Sequence, residues 1–161
     1  MTLSLVPAQP ADSSDLAAFL ARVDLTTVGL DDPALHIWLQ LDADGRIEAT
    51  TGFEIAGPDA LIRSVAVHPS LRGTRLGTAL ALFALDRAAD AGATRAWLFS
   101  RRSGPFWLRL GFEPADRDEL VTALAETHQV KAFTASGQLA REVAYSRPLP
   151  IMGREASSIS P

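Results

Sequence analysis

Arg72-Gly73-Thr74-Arg75-Leu76-Gly77 is the run in this 161-residue chain whose residue types and spacing most plainly suit chemistry. It carries two cations, two glycines and no acid. Before it lies an apolar run, Leu61, Ile62, Val65, Ala66 and Val67, closed by His68-Pro69; after it an Ala/Leu-rich stretch continues to Gly92. The first reads as a strand and the second as a helix, so the turn falls at a helix N-terminus. The first N–H groups of a helix have no partner within it, and the macrodipole places about half a positive charge there, so a phosphate can accept several backbone hydrogen bonds at once. Gly73 and Gly77 let that backbone approach a ligand closely. The competing reading is an ordinary solvated helix start.

Two common phosphate turns are excluded. No G-x-x-x-x-G-K-[ST] occurs, and the turn is not the G-x-G-x-x-G of dinucleotide folds. The pattern V-x-V-H-P-x-x-R-G-x-x-L-G-T resembles instead the acyl-CoA signature of the GNAT superfamily of N-acetyltransferases, written [Q/R]-x-x-G-x-[G/A]. Arg72 and Gly77 match its ends, while Arg75 stands where the family has its central glycine. Further on, Pro105 to Phe112 (PFWLRLGF) is similar to the F-Y-x-x-x-G-F segment of the same superfamily, and the resemblance covers about Arg46 to Pro114. It implies that the backbone from Arg72 through Gly73, Thr74, Arg75, Leu76, Gly77 and Thr78 holds the pyrophosphate of acetyl-CoA. It also implies that the main chain of Val65, Ala66 and Val67 pairs with the pantetheine and supplies the oxyanion donor, and that Trp107 borders the cofactor.

Amine acetylation needs a neutral amine set against a thioester carbonyl, stabilisation of the tetrahedral oxyanion, and a proton for the leaving thiolate. In many family members the tyrosine of F-Y-x-x-x-G-F gives that proton. Trp107 occupies its position here, and an indole N–H is far too weak an acid. The asparagine that the family often carries seven residues earlier is Ser100. Water or a serine, Ser100 or Ser103, is then left to replace the relay; Tyr145, the only tyrosine, reads as packing on the last strand. Glu54 is the carboxylate that can face a cleft from the preceding strands and is the candidate base, with Glu48 a weaker one; the alternative for Glu54 is a solvated strand residue. His68, before Pro69, reads as a turn residue. The three scattered histidines make no metal site.

Arg101 and Arg102 follow a buried strand directly, at the end of a parallel pair where ligands bind, and guanidinium suits a carboxylate in bidentate fashion. The sequence LFSRRSGPFWLRLGF is also similar to the acetyltransferase domain of N-acetylglutamate synthases and to small stand-alone GNAT proteins associated with arsenic resistance, and REVAYSRPL to the closing strand of the latter. That implies an acceptor that is an amino acid or an analogue of one, held by Arg102 with Arg101 as the second choice. Two solvated loop arginines remain the competing reading.

The elements that must position these groups read in order. Thr2 to Ala8 is a short strand candidate stopped by Pro7 and Pro10, and a helix capped by Asp12 or Ser13 carries Leu16, Phe19, Leu20 and Val23 at helical spacing. Leu35 to Leu41, a turn at Asp42 to Gly45, Arg46 to Ala56, and a turn at Gly57 to Asp59 form a meander into the central strand. The helix from about Arg75 carries Leu76, Leu80, Phe83, Arg87 and Ala91 on one stripe and ends at Gly92. Ala96 to Phe99 is then a parallel strand, Pro105 to Leu110 a short helix leading to a strand near Phe112, Asp116 to Val130 one further helix, and Glu142 to Leu149 the closing strand. The fold class is α+β: a GNAT-like mixed, twisted sheet flanked by helices in a single domain over 1–149, with a disordered Ser-rich tail at 150–161.

Bulk properties agree with that reading. At 47% hydrophobic residues the chain can bury one sizeable core. A net charge of −4, with the basic residues dispersed or confined to the two sites above, argues against nucleic acid. The absence of cysteine excludes disulfides, thiolate metal sites and a cysteine nucleophile. No leader or apolar run of about 18 residues is seen, so the expectation is a cytoplasmic protein without membrane association. Its partners are acetyl-CoA and a small amine, with room for a homodimer. The rival from another class is an acyl-CoA-binding sensor that kept the turn and lost the chemistry, and a protein amine is the other acceptor class.

Overall fold

Alternation, turns and one long crossover organise the chain in the computed structural model, which describes residues 3–32 and 34–151. The elements are β1 (Val6–Pro7), α1 (Ser13–Arg22), β2 (His36–Leu41), β3 (Ile47–Ala56), β4 (Asp59–Val67), α2 (Leu76–Asp90), β5 (Arg95–Phe99), α3 (Gly104–Arg109), β6 (Glu113–Ala115), α4 (Arg117–Ala123), α5 (His128–Ser136) and β7 (Ala144–Pro148). Seven strands make one mixed sheet in the order β1-β2-β3-β4-β5-β7-β6. This is the α+β architecture expected from three meander strands followed by a strand-turn-helix. The chain divides into two compact units, Met1–Glu54 with Arg63–Ala84, and Ile55–Ile62 with Leu85–Pro161.

In the first unit β1 and β3 flank β2 in antiparallel register, Val6 opposite Leu39 and His36 opposite Phe53. The first strand is shorter than Thr2 to Ala8 and includes Pro7, which an edge strand tolerates because its missing N–H can face away from the ladder. Asp12 occupies the N-cap of α1 without capping it; its carboxylate accepts from the Gln9 N–H at 2.7 Å instead. Leu16, Phe19 and Leu20 of α1 bury against Ile37, Leu39 and Ala66, each worth about 1.5–3 kcal/mol of transfer free energy. The Thr51 hydroxyl donates to the Leu80 carbonyl at 2.8 Å and so ties β3 to α2.

One helical stripe differs from expectation. The buried face of α2 is Leu76, Leu80, Ala81, Ala84, Leu85 and Ala88, whereas Arg87 and Ala91 are exposed and Phe83 is half-buried. Alanines carry the contact because a helix lying close on a sheet leaves little room for larger side chains, and a stripe drawn through the bulky residues is rotated away from it.

In the second unit β5 runs parallel to the start of β4, Asp59 opposite Arg95 and Leu61 opposite Trp97, as a helical crossover requires. β7 lies inside the sheet, antiparallel to both β5 and β6. The core here is Leu61, Trp97, Leu120, Leu124, Val130 and Ala144. The Trp97 indole donates to the Asp59 carboxylate at 2.9 Å.

The single helix expected over Asp116 to Val130 is two. Asp116 caps α4, accepting from the N–H groups of Asp118 and Glu119, and Thr127 caps α5, accepting from the Val130 N–H. An internal N-cap residue reverses the backbone between them. The expected disorder of the tail concerns mainly residues outside the described ones. Among the described residues no helix is long and apolar enough to cross a membrane, and no group of His, Asp and Glu could hold a metal ion.

Candidate active site

The basic turn starts where β4 runs out. His68 caps a short 3-10 turn, its Nδ1 accepting from the Ser70 N–H at 3.1 Å, which fits the turn role read for V-H-P. Arg72 follows in extended conformation and exposed. Gly73 has φ +82, with nothing within 4 Å of the place a Cβ would take. The Thr74 hydroxyl donates to the Leu71 carbonyl at 2.6 Å and is therefore spent within the turn. Arg75 has φ 67, a left-handed backbone at the one position where the resembled signature has glycine. The helix then begins at Leu76, and its first turn carries no acidic residue. The N–H groups of Leu76, Gly77 and Thr78 are the ones an α-helix leaves without internal acceptors. Open space, two exposed guanidinium groups and no competing carboxylate fit a phosphate.

Val65 and Val67 are half-buried and Ala66 is buried, as alternating residues near the end of β4. Just before them the backbone turns left-handed at Ser64, φ 61, and the Thr50 hydroxyl holds the Ser64 carbonyl at 2.6 Å. Glu54 is not a solvated strand residue. Its carboxylate is buried and receives the Arg63 Nη1 at 3.1 Å, with the Arg63 side chain wholly shut from solvent. Arg63 Nε donates to the Ser64 hydroxyl at 3.3 Å, while Nη2 has no hydrogen-bond partner. Burial pulls the Arg63 pKa below its ordinary value, and the Glu54 charge and hydrogen bond oppose that pull. Arg63 escaped the sequence reading; the available signal was an opposite charge on the returning strand of the hairpin that carries Glu54. Glu48 accepts from the Gln40 amide at 3.2 Å.

The second unit holds the other candidates. Ser100 ends β5, donating its N–H to the Val143 carbonyl at 2.9 Å and accepting on Oγ from the Ser103 N–H at 3.0 Å. Arg101 is engaged with the buried Glu142 carboxylate at 3.1 Å, and Arg102 is exposed. Arg101 thereby closes the loop onto the segment before β7. Trp107 is buried, packed edge-on against Phe106 and Phe112. Tyr145 reaches from β7 to the start of α3, with its hydroxyl against Gly104.

The acetyltransferase (GNAT) family model matches residues 6–112. The chain belongs to the GNAT acetyltransferase family. The sequence has no match among curated proteins, but many solved structures share this GNAT fold. A Mycobacterium tuberculosis protein in complex with CoA superposes with TM-score 0.69 at 16% identity, over 92% of this chain and 100% of that one. N-acetylglutamate synthase from Neisseria gonorrhoeae, complexed with coenzyme A and N-acetyl-glutamate, gives 0.69 at 18% identity over 94% of this chain and 36% of that one, so this chain spans about a third of the synthase. The ribosomal-protein alanine N-acetyltransferase of Escherichia coli gives 0.64 at 16% identity, over 93% and 96%. This GNAT chain thus has the family's mixed sheet flanked by helices.

Proposed function

We propose that this GNAT chain is an acetyl-CoA-dependent N-acetyltransferase that passes the acetyl group directly to the amine of a small molecule, an amino acid or amino-acid analogue. The observation that carries the reading is the turn from Arg72 to Arg75, exposed, basic and open at Gly73, at the start of a helix with no acid in its first turn. Arg72 and the amides that follow hold the pyrophosphate, and the main chain of Val65, Ala66 and Val67 lies along the pantetheine. The amine nitrogen attacks the thioester carbonyl, the oxyanion accepts backbone N–H bonds, and collapse expels the thiolate. Glu54 takes the amine proton in this scheme. The amino-acid acceptor is supported by Arg102 at the carboxyl end of β5 and by the likeness to a synthase crystallised with N-acetyl-glutamate.

The test couples binding to chemistry. Acetyl-CoA at 100 times its dissociation constant adds about 2.7 kcal/mol of stability, and free thiol appears when amino acids are supplied. Arg72→Glu weakens acetyl-CoA binding more than tenfold, about 1.4 kcal/mol, with the fold intact. Thiol release with peptide amines alone moves the acceptor to a protein. Binding without any thiol release makes the chain an acyl-CoA sensor, and unchanged affinity in Arg72→Glu removes the turn from the cofactor site.

A further inference from the structure

Residues 72–75 are exposed, and two of them, Gly73 and Arg75, take left-handed backbone. A stretch of that kind keeps one course only where its ends are held. The far end is held by packing, with Leu76 buried beside Ala49 and Leu80. The near end is held by hydrogen bonds that converge on His68. Its N–H donates to the Glu48 carbonyl at 2.8 Å, and its carbonyl accepts from the Leu71 N–H at 2.8 Å. Its Nδ1 accepts from the Ser70 N–H at 3.1 Å, and the Ser70 hydroxyl meets the same nitrogen at 2.8 Å. Leu71 then packs against the Leu76 cluster, and its carbonyl takes the Thr74 hydroxyl at 2.6 Å. Every residue in this relay belongs to one compact unit. A backbone N–H can only donate, so Nδ1 presents a lone pair and the neutral ring carries its proton on Nε2. An acceptor on one residue meeting the N–H two residues on is the bond that asparagine makes in an Asx turn.

We propose that His68 is a positioning residue for the acyl donor: by holding the Ser70 amide, its Nδ1 sets the direction in which the chain leaves β4 and so the aim of the amides from Arg72 onward at the pyrophosphate. The assignment rests on the acetyl-CoA reading of that turn and deepens it, because donor affinity then depends on a side chain that acts through the backbone. Ser70 is exposed, so an amide released by the ring turns to water and the fold survives. What is lost is preorganisation. A turn free to take other courses has to be ordered when the donor binds, and that ordering is subtracted from affinity. Once the donor is bound the turn is in place again, so transfer from the saturated enzyme proceeds as before. The effect is confined to donors that carry the pyrophosphate. S-acetylpantetheine presents the same thioester without the nucleotide, and its use does not involve the turn.

His68→Phe keeps an aromatic ring and loses the acceptor, whereas His68→Asn keeps an acceptor for the same N–H. For His68→Phe the calorimetric Kd and the KM of acetyl-CoA should rise about three- to tenfold, the range of one net hydrogen bond, while kcat at saturating acetyl-CoA stays near that of wild type. His68→Asn should bring Kd and KM back close to wild type. The kcat/KM for S-acetylpantetheine should be the same in all three proteins. Wild-type acetyl-CoA affinity in His68→Phe, an Asn variant as weak as the Phe variant, or an equal loss with both donors overturns the assignment. A wild type that binds acetyl-CoA but releases no thiol with any amine overturns the transferase reading, and the calorimetric comparison still decides the role of His68. A wild type that does not bind acetyl-CoA overturns the donor reading and this assignment with it.

Discussion

At Arg75 the backbone sits at φ 67, where a side chain costs about 1–2 kcal/mol that a glycine avoids. The turn into α2 takes this conformation at an exposed arginine. Arg75→Gly therefore relieves strain, partly offset by the looser unfolded chain, and the melting temperature rises by about 2–4 °C for a net gain near 1 kcal/mol. Acetyl-CoA affinity measured by calorimetry holds within about twofold, the amide being the ligand; a tenfold loss would show that the guanidinium itself carries the phosphate. The Glu54–Arg63 pair is the other residue-scale feature. Arg63→Met takes the ion partner from a buried carboxylate and destabilises by about 3–5 kcal/mol, whereas Glu54→Leu with Arg63→Met removes both charges and recovers most of it. A denaturant double-mutant cycle measures the coupling. Glu54→Gln assayed far below its melting temperature loses turnover by about a hundredfold, as for a base, and more than Trp107→Phe does; a loss that only tracks unfolding makes Glu54 structural.

Caps and crossovers decide the elements. Thr127 is buried, donating its hydroxyl to the Leu124 carbonyl at 2.7 Å and accepting from the Val130 N–H. Thr127→Ala should destabilise by about 0.5–2 kcal/mol, with Thr127→Ser near wild type; thermal melts of both variants check this, and equal melts would mean the break between α4 and α5 is held by packing alone. The same cap explains what the sequence left illegible. DRDELVTALAETHQV has unbroken helical periodicity, and a threonine inside it becomes a cap only because Leu120, Leu124 and Val130 close one core around it. The strand-turn-helix and both hairpins were legible because glycines and an apolar run of strand length mark them locally. The alanine face of α2 was not, since small residues report close packing only once a sheet lies beneath them. Glu54 was legible as a carboxylate on the meander but not as half of an ion pair, because Arg63 belongs to another strand. Tyr145 beside Gly104 joins positions 41 residues apart, a proximity that the insertion of β7 next to β5 creates.

Across the whole molecule the net charge is −4, so nothing in the summed field draws an anionic acceptor in, and a carboxylate has to be held locally. Arg101 is committed to Glu142, and Arg147 donates to the Leu110 and Pro148 carbonyls. Arg63 is shut away from solvent. Arg102, exposed in the loop after β5, is the arginine proposed to meet an incoming carboxylate. A charge-assisted bidentate contact to a carboxylate is worth about 1.5–3 kcal/mol. Arg102→Ala therefore raises the acceptor KM at least tenfold and leaves the KM for acetyl-CoA unchanged, because the proposed site for the pyrophosphate is the turn after β4. Wild-type enzyme should likewise prefer an amino acid over its carboxamide by a similar factor, since the amide offers Arg102 one acceptor and no charge. Steady-state kinetics on the acid and the carboxamide, in wild type and Arg102→Ala, give four constants that must agree. If the variant erases the preference, Arg102 reads the carboxylate; if wild type uses both substrates equally, the acceptor is chosen by its amine alone and the exposed arginine is only a solvated loop residue.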